Sequence, residues 1–339
     1  MPTITVSGTS LSFTSAPGDT VLQAALRAGV PWPYECSVGS CGTCRFTIDA
    51  GEARVLRDDP PGLSAMDRRK HRKLACQCVA ESDLSVSAKI GVDGALVQIL
   101  PRRVPAVFVG ARTVTHDMIE YRFRTAATAQ FLPGQYALLT LPGMSEARAY
   151  SMSNVANEQG EWTFVIRNVP NGVGSRALGT LETGTTITID GPYGGAWLRT
   201  DVPREIVCIA GGSGLAPMLS IARAASATEH RLHFYYGART AADACSRAFV
   251  AELDGFDARM RCIEAISIED EDKDKDNSDA IWQGETGLIH DVVARDLTGP
   301  FDAYEFYVSG PPPMISAVLN LLAVERGVPT SQIHFDRFF

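Results

Sequence analysis

Hydrophobic and polar positions fall into three successive regimes along the chain. In residues 1–93, two short alternating runs flank Gly8. Apolar positions then recur at helical spacing from Thr20 to about Ala28, with Asp19 placed to cap the helix and Gly29 just past its end. Arg45 to Ile48 and Leu84 to Ile90 alternate again, so this region reads as a small mixed sheet crossed by one helix. Gly91, Gly94, Pro101 and Pro105 bracket a linker over 94–104. Residues 105–201 carry short alternating runs at 107–109, 119–124, 136–141, 162–167 and 185–189, separated by Gly and Pro, which is the pattern of an antiparallel β-barrel. In 202–339 a buried-looking run at 206–210 is followed by further strand-like runs at 232–236, 261–266 and 305–308. Helical patterns lie between them, the first from about Ala216 to Ala225, and together they predict a parallel sheet of βα units.

Composition leaves that picture intact and removes several classes of function. The chain has 339 residues, 45% apolar and 21% charged, in keeping with two or three soluble domains. A net charge of −8 argues against coating nucleic acid or anionic lipid. No apolar run is long enough to span a bilayer and the N-terminus lacks an export signal, so the expectation is a cytoplasmic protein without membrane or nucleic-acid partners. The polar run Glu269 to Asp279 reads as a solvated surface loop.

Cysteine placement changes the picture most, because five of the eight fall between Cys36 and Cys78. Cys36, Cys41 and Cys44 form C-x4-C-x2-C, followed by Cys76, the thiolate spacing of plant-type 2Fe-2S ferredoxins. Each iron of such a cluster takes two terminal ligands. The intervening Ser37, Gly39, Ser40, Gly42 and Thr43 are small enough for backbone N–H groups to approach sulfur. Zinc is the alternative, but zinc modules usually present paired C-x2-C knuckles. Spacing alone leaves Cys76 and Cys78 open as the fourth ligand. Cys208, Cys245 and Cys262 read as small buried hydrophobes.

Two further groups of residues suggest nucleotide cofactors. Arg148-Ala149-Tyr150-Ser151 follows a barrel run and matches R-x-Y-S, the flavin motif of the ferredoxin-NADP reductase superfamily. It offers a cation for pyrophosphate, a flat ring for isoalloxazine and a hydroxyl near its reactive nitrogen. Arg167, Val169, Asn171, Gly172, Gly174 and Ser175 come next in the expected order, with Ser175 expected to open a helix toward phosphate. Gly211, Gly212, Gly214 and Pro217 form a glycine turn after a strand, and Arg239 and Ser309-Gly310-Pro311 follow later strands. Three strand ends therefore converge on one cleft, as a nicotinamide dinucleotide requires. The turn is not G-x-G-x-x-G, so the dehydrogenase fingerprint is not matched.

Over essentially its whole length the chain resembles the three-domain reductase components of bacterial aromatic and hydrocarbon oxygenases, and among them the toluene 4-monooxygenase type. Shared stretches include Pro33-Tyr34-Glu35-Cys36, Leu74-Ala75-Cys76-Gln77-Cys78, Asp190-Gly191-Pro192-Tyr193-Gly194 and Ile333 to Phe339. The resemblance implies a β-grasp 2Fe-2S ferredoxin domain, a six-stranded FAD-binding β-barrel and a parallel-sheet NAD(H)-binding domain. It selects Cys76 as the fourth ligand and FAD and NADH as cofactors. It also implies a Rieske-type ferredoxin or hydroxylase component as acceptor, and a monomer. The superfamily usually has Cys where this chain has Ser309, which predicts altered hydride-transfer behaviour rather than inactivity. Phe338, or else Phe339, is expected over the flavin face. Ser151, Ser309 and Phe338 are thus the residues expected at the hydride step. The basic run Arg68 to Lys73 reads as a solvated helical face, with docking of an acidic acceptor as its alternative. A stand-alone biosynthetic iron-sulfur flavoenzyme would share these motifs, whereas a redox sensor would need no nicotinamide cleft.

Overall fold

The computed structural model describes residues 1–91, 99–144, 146–267 and 282–337. Residues 94–98 of the expected linker, the polar run 269–279, Phe338 and Phe339 lie outside the described residues.

The first regime folds as β1 (Thr3–Val6), β2 (Ser12–Thr14), α1 (Val21–Arg27), β3 (Arg45–Ala50), β4 (Ala53–Val55), α2 (Ala65–Arg69), β5 (Lys73–Leu74), β6 (Cys78–Ala80) and β7 (Leu84–Ala88). Five strands form a mixed sheet in the order β2-β1-β7-β3-β5, with β1 parallel to β7 and the other pairs antiparallel. Helix α1 buries Val21, Leu22, Ala24, Ala25 and Leu26 in the same core as Ile4, Val6, Phe46 and Val86. Its cap is Thr20, not Asp19: the Thr20 hydroxyl accepts from the Gln23 amide and Gln23 Oε1 accepts from the Thr20 amide, a reciprocal capping box. Asp19 is occupied instead by Arg27, at 2.9 Å.

The second regime comprises β8 (Arg102–Thr113), β9 (Met118–Thr125), β10 (Tyr136–Thr140), β11 (Arg148–Ser151), β12 (Glu161–Arg167), α3 (Val173–Gly179) and β13 (Thr186–Tyr193). The six strands are antiparallel in the order β11-β10-β13-β8-β9-β12, and a bridge between Met152 and Phe164 brings the two edges together into a nearly closed barrel. Alternation along β9 and β12 sends Tyr121, Phe123, Phe164 and Ile166 inward.

The third regime comprises β14 (Glu205–Gly211), α4 (Leu215–Ser226), β15 (Leu232–Ala238), α5 (Ser246–Val250), β16 (Met260–Ile266), β17 (Glu285–Thr286), α6 (Ile289–Asp296), β18 (Tyr304–Gly310), α7 (Pro312–Leu319) and β19 (Ile333–Arg337). All strands are parallel, ordered β17-β16-β15-β14-β18-β19, with apolar helices on both faces. The carboxyl ends of β14, β15 and β18 lie side by side, which is where open α/β sheets bind ligands.

The three units share core. Tyr136, Leu138 and Tyr193 of the barrel belong to the hydrophobic cluster of the first unit, and Met118 and Val165 to that of the third. Among the described residues, no helix is long and apolar enough to cross a membrane.

Candidate functional site

The loop between α1 and β3 gathers thiols. Cys36 and Cys41 are half-buried, and Cys44 and Cys76 are buried. Cys36 perturbs Cys41 and Cys44 perturbs Cys76, and Cys76 also feels the charge of Cys36, so the four thiols gather as two neighbouring pairs. The Ser40 and Cys41 amides each donate to Cys36 Sγ at 3.3 Å, and the Thr43 amide donates to Cys41 Sγ at 3.4 Å. Left-handed backbone at Ser37, Gly39 and Gly42 turns these amides inward. A side chain on Gly42 would strike the Gly62 carbonyl, and Gly62 donates its own amide to Gly39 O at 2.9 Å, closing residues 60–63 over the loop. Donation from Cys36 and from the Thr43 amide pulls the Cys41 thiol down to about 4, and the Cys76 contact lowers Cys44. An all-thiol set with N–H···S donors fits an iron-sulfur cluster. Cys78 lies apart: it sits in β6, fully buried, and desolvation pushes its thiol up to about 12. Cys208 and Cys262 are buried, as expected, and Cys245 is half-buried.

The basic run departs from the helical-face expectation. Helix α2 ends at Arg69, and His71 takes a left-handed φ of 52°, so the chain turns before Arg72 and Lys73. Arg68 pairs with Asp59 and Arg72 with Asp67, whereas Arg69 and Lys70 are exposed and have no ion-pair partner among the described residues.

On the barrel, β11 carries Arg148, Tyr150 and Ser151. Arg148 reaches Glu146 at 3.0 Å, and Ser151 is buried. The Tyr150 hydroxyl lies so near Gly174 that a Cβ there would come within 2.7 Å of it. Arg167 closes β12 and binds Asp117 at 2.6 Å. Val169 is exposed, Asn171 is left-handed, and Gly172 is the N-cap of α3. Ser175 therefore does not open the helix. It stands inside the first turn, where its hydroxyl accepts the Val169 amide at 2.9 Å and folds the loop back on itself.

In the third unit Gly211 ends β14 and Gly212 is left-handed. Gly214 packs so tightly that a Cβ would strike the Ser309 carbonyl, while Pro217 is buried in the first turn of α4. A cleft of about 180 Å³ opens here, lined by Gly211, Gly212, Tyr236, Arg167, Arg239, Pro311 and Met314. It shares Asp117, Arg167 and Arg239 with a wider hollow of about 610 Å³ beside His116. Two arginines and glycine-rich strand ends suit an anionic dinucleotide.

Ser309 is fully buried on β18, with no hydrogen-bond partner for its hydroxyl among the described residues, and Gly310 and Pro311 follow it into α7. Its neighbour across the ladder is Asp336 of β19, whose Oδ2 is also buried and without a partner among the described residues. Burial, reinforced by Glu35, pushes the Asp336 carboxyl up to about 7. Buried polar atoms without protein partners are what a polar ligand would satisfy, so this strand pair fits a bound flavin and nicotinamide. Sequence reasoning had missed Asp117 and Asp336. Asp336 stands within the shared C-terminal stretch, which was its only signal.

Comparison with known proteins agrees with this geometry. Family models match for a 2Fe-2S iron-sulfur cluster binding domain over 4–81, an oxidoreductase FAD-binding domain over 105–197 and an oxidoreductase NAD-binding domain over 208–320. The chain is 39% identical over 333 residues to the ferredoxin–NAD(P)(+) reductase CarAd of Metapseudomonas resinovorans, with 96% of each chain covered. It is 37% identical to the ferredoxin–NAD(+) reductase component of the alkene monooxygenase system of Xanthobacter autotrophicus, covering 96% of this chain and 98% of that one. Among solved structures, the ferredoxin reductase in carbazole 1,9a-dioxygenase superposes with a TM-score of 0.89 at 34% identity, covering 100% of this chain and 98% of that chain.

Proposed function

This chain belongs to the family of ferredoxin, FAD and NAD reductases that serve oxygenase systems, and from that premise we propose how its own residues carry out the transfer and what receives the electrons. The protein is an NADH-dependent oxidoreductase that passes electrons through FAD and a 2Fe-2S cluster. When bound, FAD takes two electrons from NADH as a hydride and releases them singly, and the cluster carries them one at a time.

In this reading Cys36, Cys41, Cys44 and Cys76 hold the cluster, and the amides of Ser40, Cys41 and Thr43 stabilise charge on sulfur. Arg148 neutralises flavin pyrophosphate, Tyr150 flanks the ring and Ser151 offers its hydroxyl to the reactive nitrogen. Arg167 and the loop 169–175 shape the phosphate side. Gly211, Gly212 and Gly214 let the dinucleotide approach the backbone, and Arg239 binds its adenosine half. Buried Ser309 and Gly310 would back the nicotinamide, with exposed Pro311 at the edge of its site. No side chain need move a proton for the hydride step, so placement and water exclusion are the protein's contribution.

The acceptor is a ferredoxin, Rieske-type or similar, or the hydroxylase component itself, reached from the face where Arg69 and Lys70 stand free. We place the protein in the cytoplasm as a monomer. The observation that carries the reading is the gathering of four thiols beside the flavin barrel. Iron, acid-labile sulfide and flavin content of purified protein test it. Cys76→Ser should lose the cluster and keep FAD, while Cys78→Ser should retain both; cluster loss only in Cys78→Ser would overturn the ligand set.

A further inference from the structure

The cysteine loop and the flavin barrel meet at a seam of tyrosines. Tyr136 opens β10, and its backbone is the ladder partner of Ser151. Its side chain crosses to the other unit. The hydroxyl donates to the Glu35 carbonyl at 2.6 Å and accepts from Ser37 Oγ at 2.7 Å, gripping the residues on either side of Cys36. Ser37 is held there in a left-handed conformation, φ 56°, that the loop needs for its amides to face the thiols.

The grip is reciprocal. Tyr34 sends its ring the other way, and its hydroxyl accepts the Gly194 amide of the barrel at 2.8 Å. Tyr193 packs against both, 6.3 Å from Tyr34 edge-on and 5.9 Å from Tyr136. Its hydroxyl donates to Asp190 at 2.8 Å, and Asp190 accepts from Arg27 at 2.7 Å and Gln23 at 3.1 Å on α1. The seam is dry at Tyr136 and Tyr193, each no more than 4% exposed. Burial pushes both phenols well above their ordinary range, so they stay neutral hydroxyls across the working pH.

We propose that Tyr136 is a positioning residue for internal electron transfer: it ties the Cys36 loop to β10, the strand paired with the one that bears Ser151, so the flavin-to-cluster step depends on its hydroxyl while the nicotinamide-to-flavin step does not. This rests on the functional reading above. Transfer between two bound centres is steep in their separation and orientation, and one residue joins the two segments that hold them. Loss of the hydroxyl leaves the ring packed and frees only the loop.

The test is anaerobic stopped-flow mixing of holoprotein with NADH, following flavin bleaching and cluster reduction separately, in wild type and Tyr136→Phe. Flavin bleaching, and ferricyanide reduction drawn directly from the flavin, should be unchanged. Cluster reduction should slow. Amide exchange over residues 34–40 should accelerate, a readout independent of turnover. Ser37→Ala removes one of the two bonds and should shift the same step in the same direction by less; it carries the test if Tyr136→Phe does not fold. Unchanged cluster reduction, or equal slowing of both steps, overturns the proposal. A wild-type cluster that NADH never reduces would overturn the functional reading instead.

Discussion

Arg27 is the place where one substitution should open the seam between the cysteine-bearing unit and the barrel. Its guanidinium binds Asp19 at 2.9 Å, Asp190 at 2.7 Å and the Pro101 carbonyl at 2.9 Å, and the two carboxylate side chains are only 2% and 6% exposed. Arg27→Met keeps the apolar stem and removes the charge, leaving both acids buried. Removing one partner of a buried pair typically costs about 3–5 kcal/mol. Two features reduce that here: Arg27 itself is 20% exposed, and Arg103 still holds Asp19 at 2.7 Å and Asp190 at 3.6 Å. An expected loss of about 2–3 kcal/mol corresponds to opening about 30- to 150-fold more often. Native-state amide exchange reads this directly at Gly194 and along α1, because local openings set exchange rates. Asp190→Asn should produce part of the same effect, and the double substitution should fall well short of the sum. Additive effects, or exchange in Arg27→Met within about fivefold of wild type, would refute the assignment of docking strength to this cluster.

Three other outcomes follow from single sites. Gly214→Ala should force β18 away from the glycine turn, destabilising the third unit by about 1–3 kcal/mol or more and raising KM for NADH while the reduced-cluster spectrum is unaltered. For Asp336, a folded value near 7 against an ordinary 3.8 means the folded protein holds the proton more tightly, so stability is full at acid pH and falls as pH rises through 7. Between about pH 4 and 7 the stability of wild type should fall relative to Asp336→Asn, by a free energy on the order of a few kcal/mol; parallel curves across that window would contradict it. Arg69→Glu with Lys70→Glu should lower turnover with a protein acceptor at low salt and flatten its ionic-strength dependence, leaving ferricyanide reduction unchanged.

Strand and helix regimes were legible in the sequence because burial imposes period two on half-buried strands and unbroken apolar runs on strands covered on both faces. The cysteine loop was legible for a different reason, since ligand spacing is local. What escaped was decided by partners far away in sequence. Thr20 and Asp19 are both good caps, and the choice fell to Thr20 because Arg27 and Arg103 engage Asp19. Ser175 stands three residues past the Gly172 cap and closes its own loop. The basic run looked helical until His71 turned it. Cys76 and Cys78, two apart, separate because a tight turn points one at the loop while β6 buries the other. Tyr136 carried no signal for this role and Tyr34 only its place in a shared stretch, since each bonds to the opposite unit.

The account is tested most directly by an anaerobic NADH titration of the purified protein, followed by visible absorbance and low-temperature EPR. It predicts flavin bleaching accompanied by the signal of a reduced 2Fe-2S cluster, both from NADH alone. A protein without visible colour, or one whose flavin is reduced while its cluster stays oxidised at every NADH level, would contradict it.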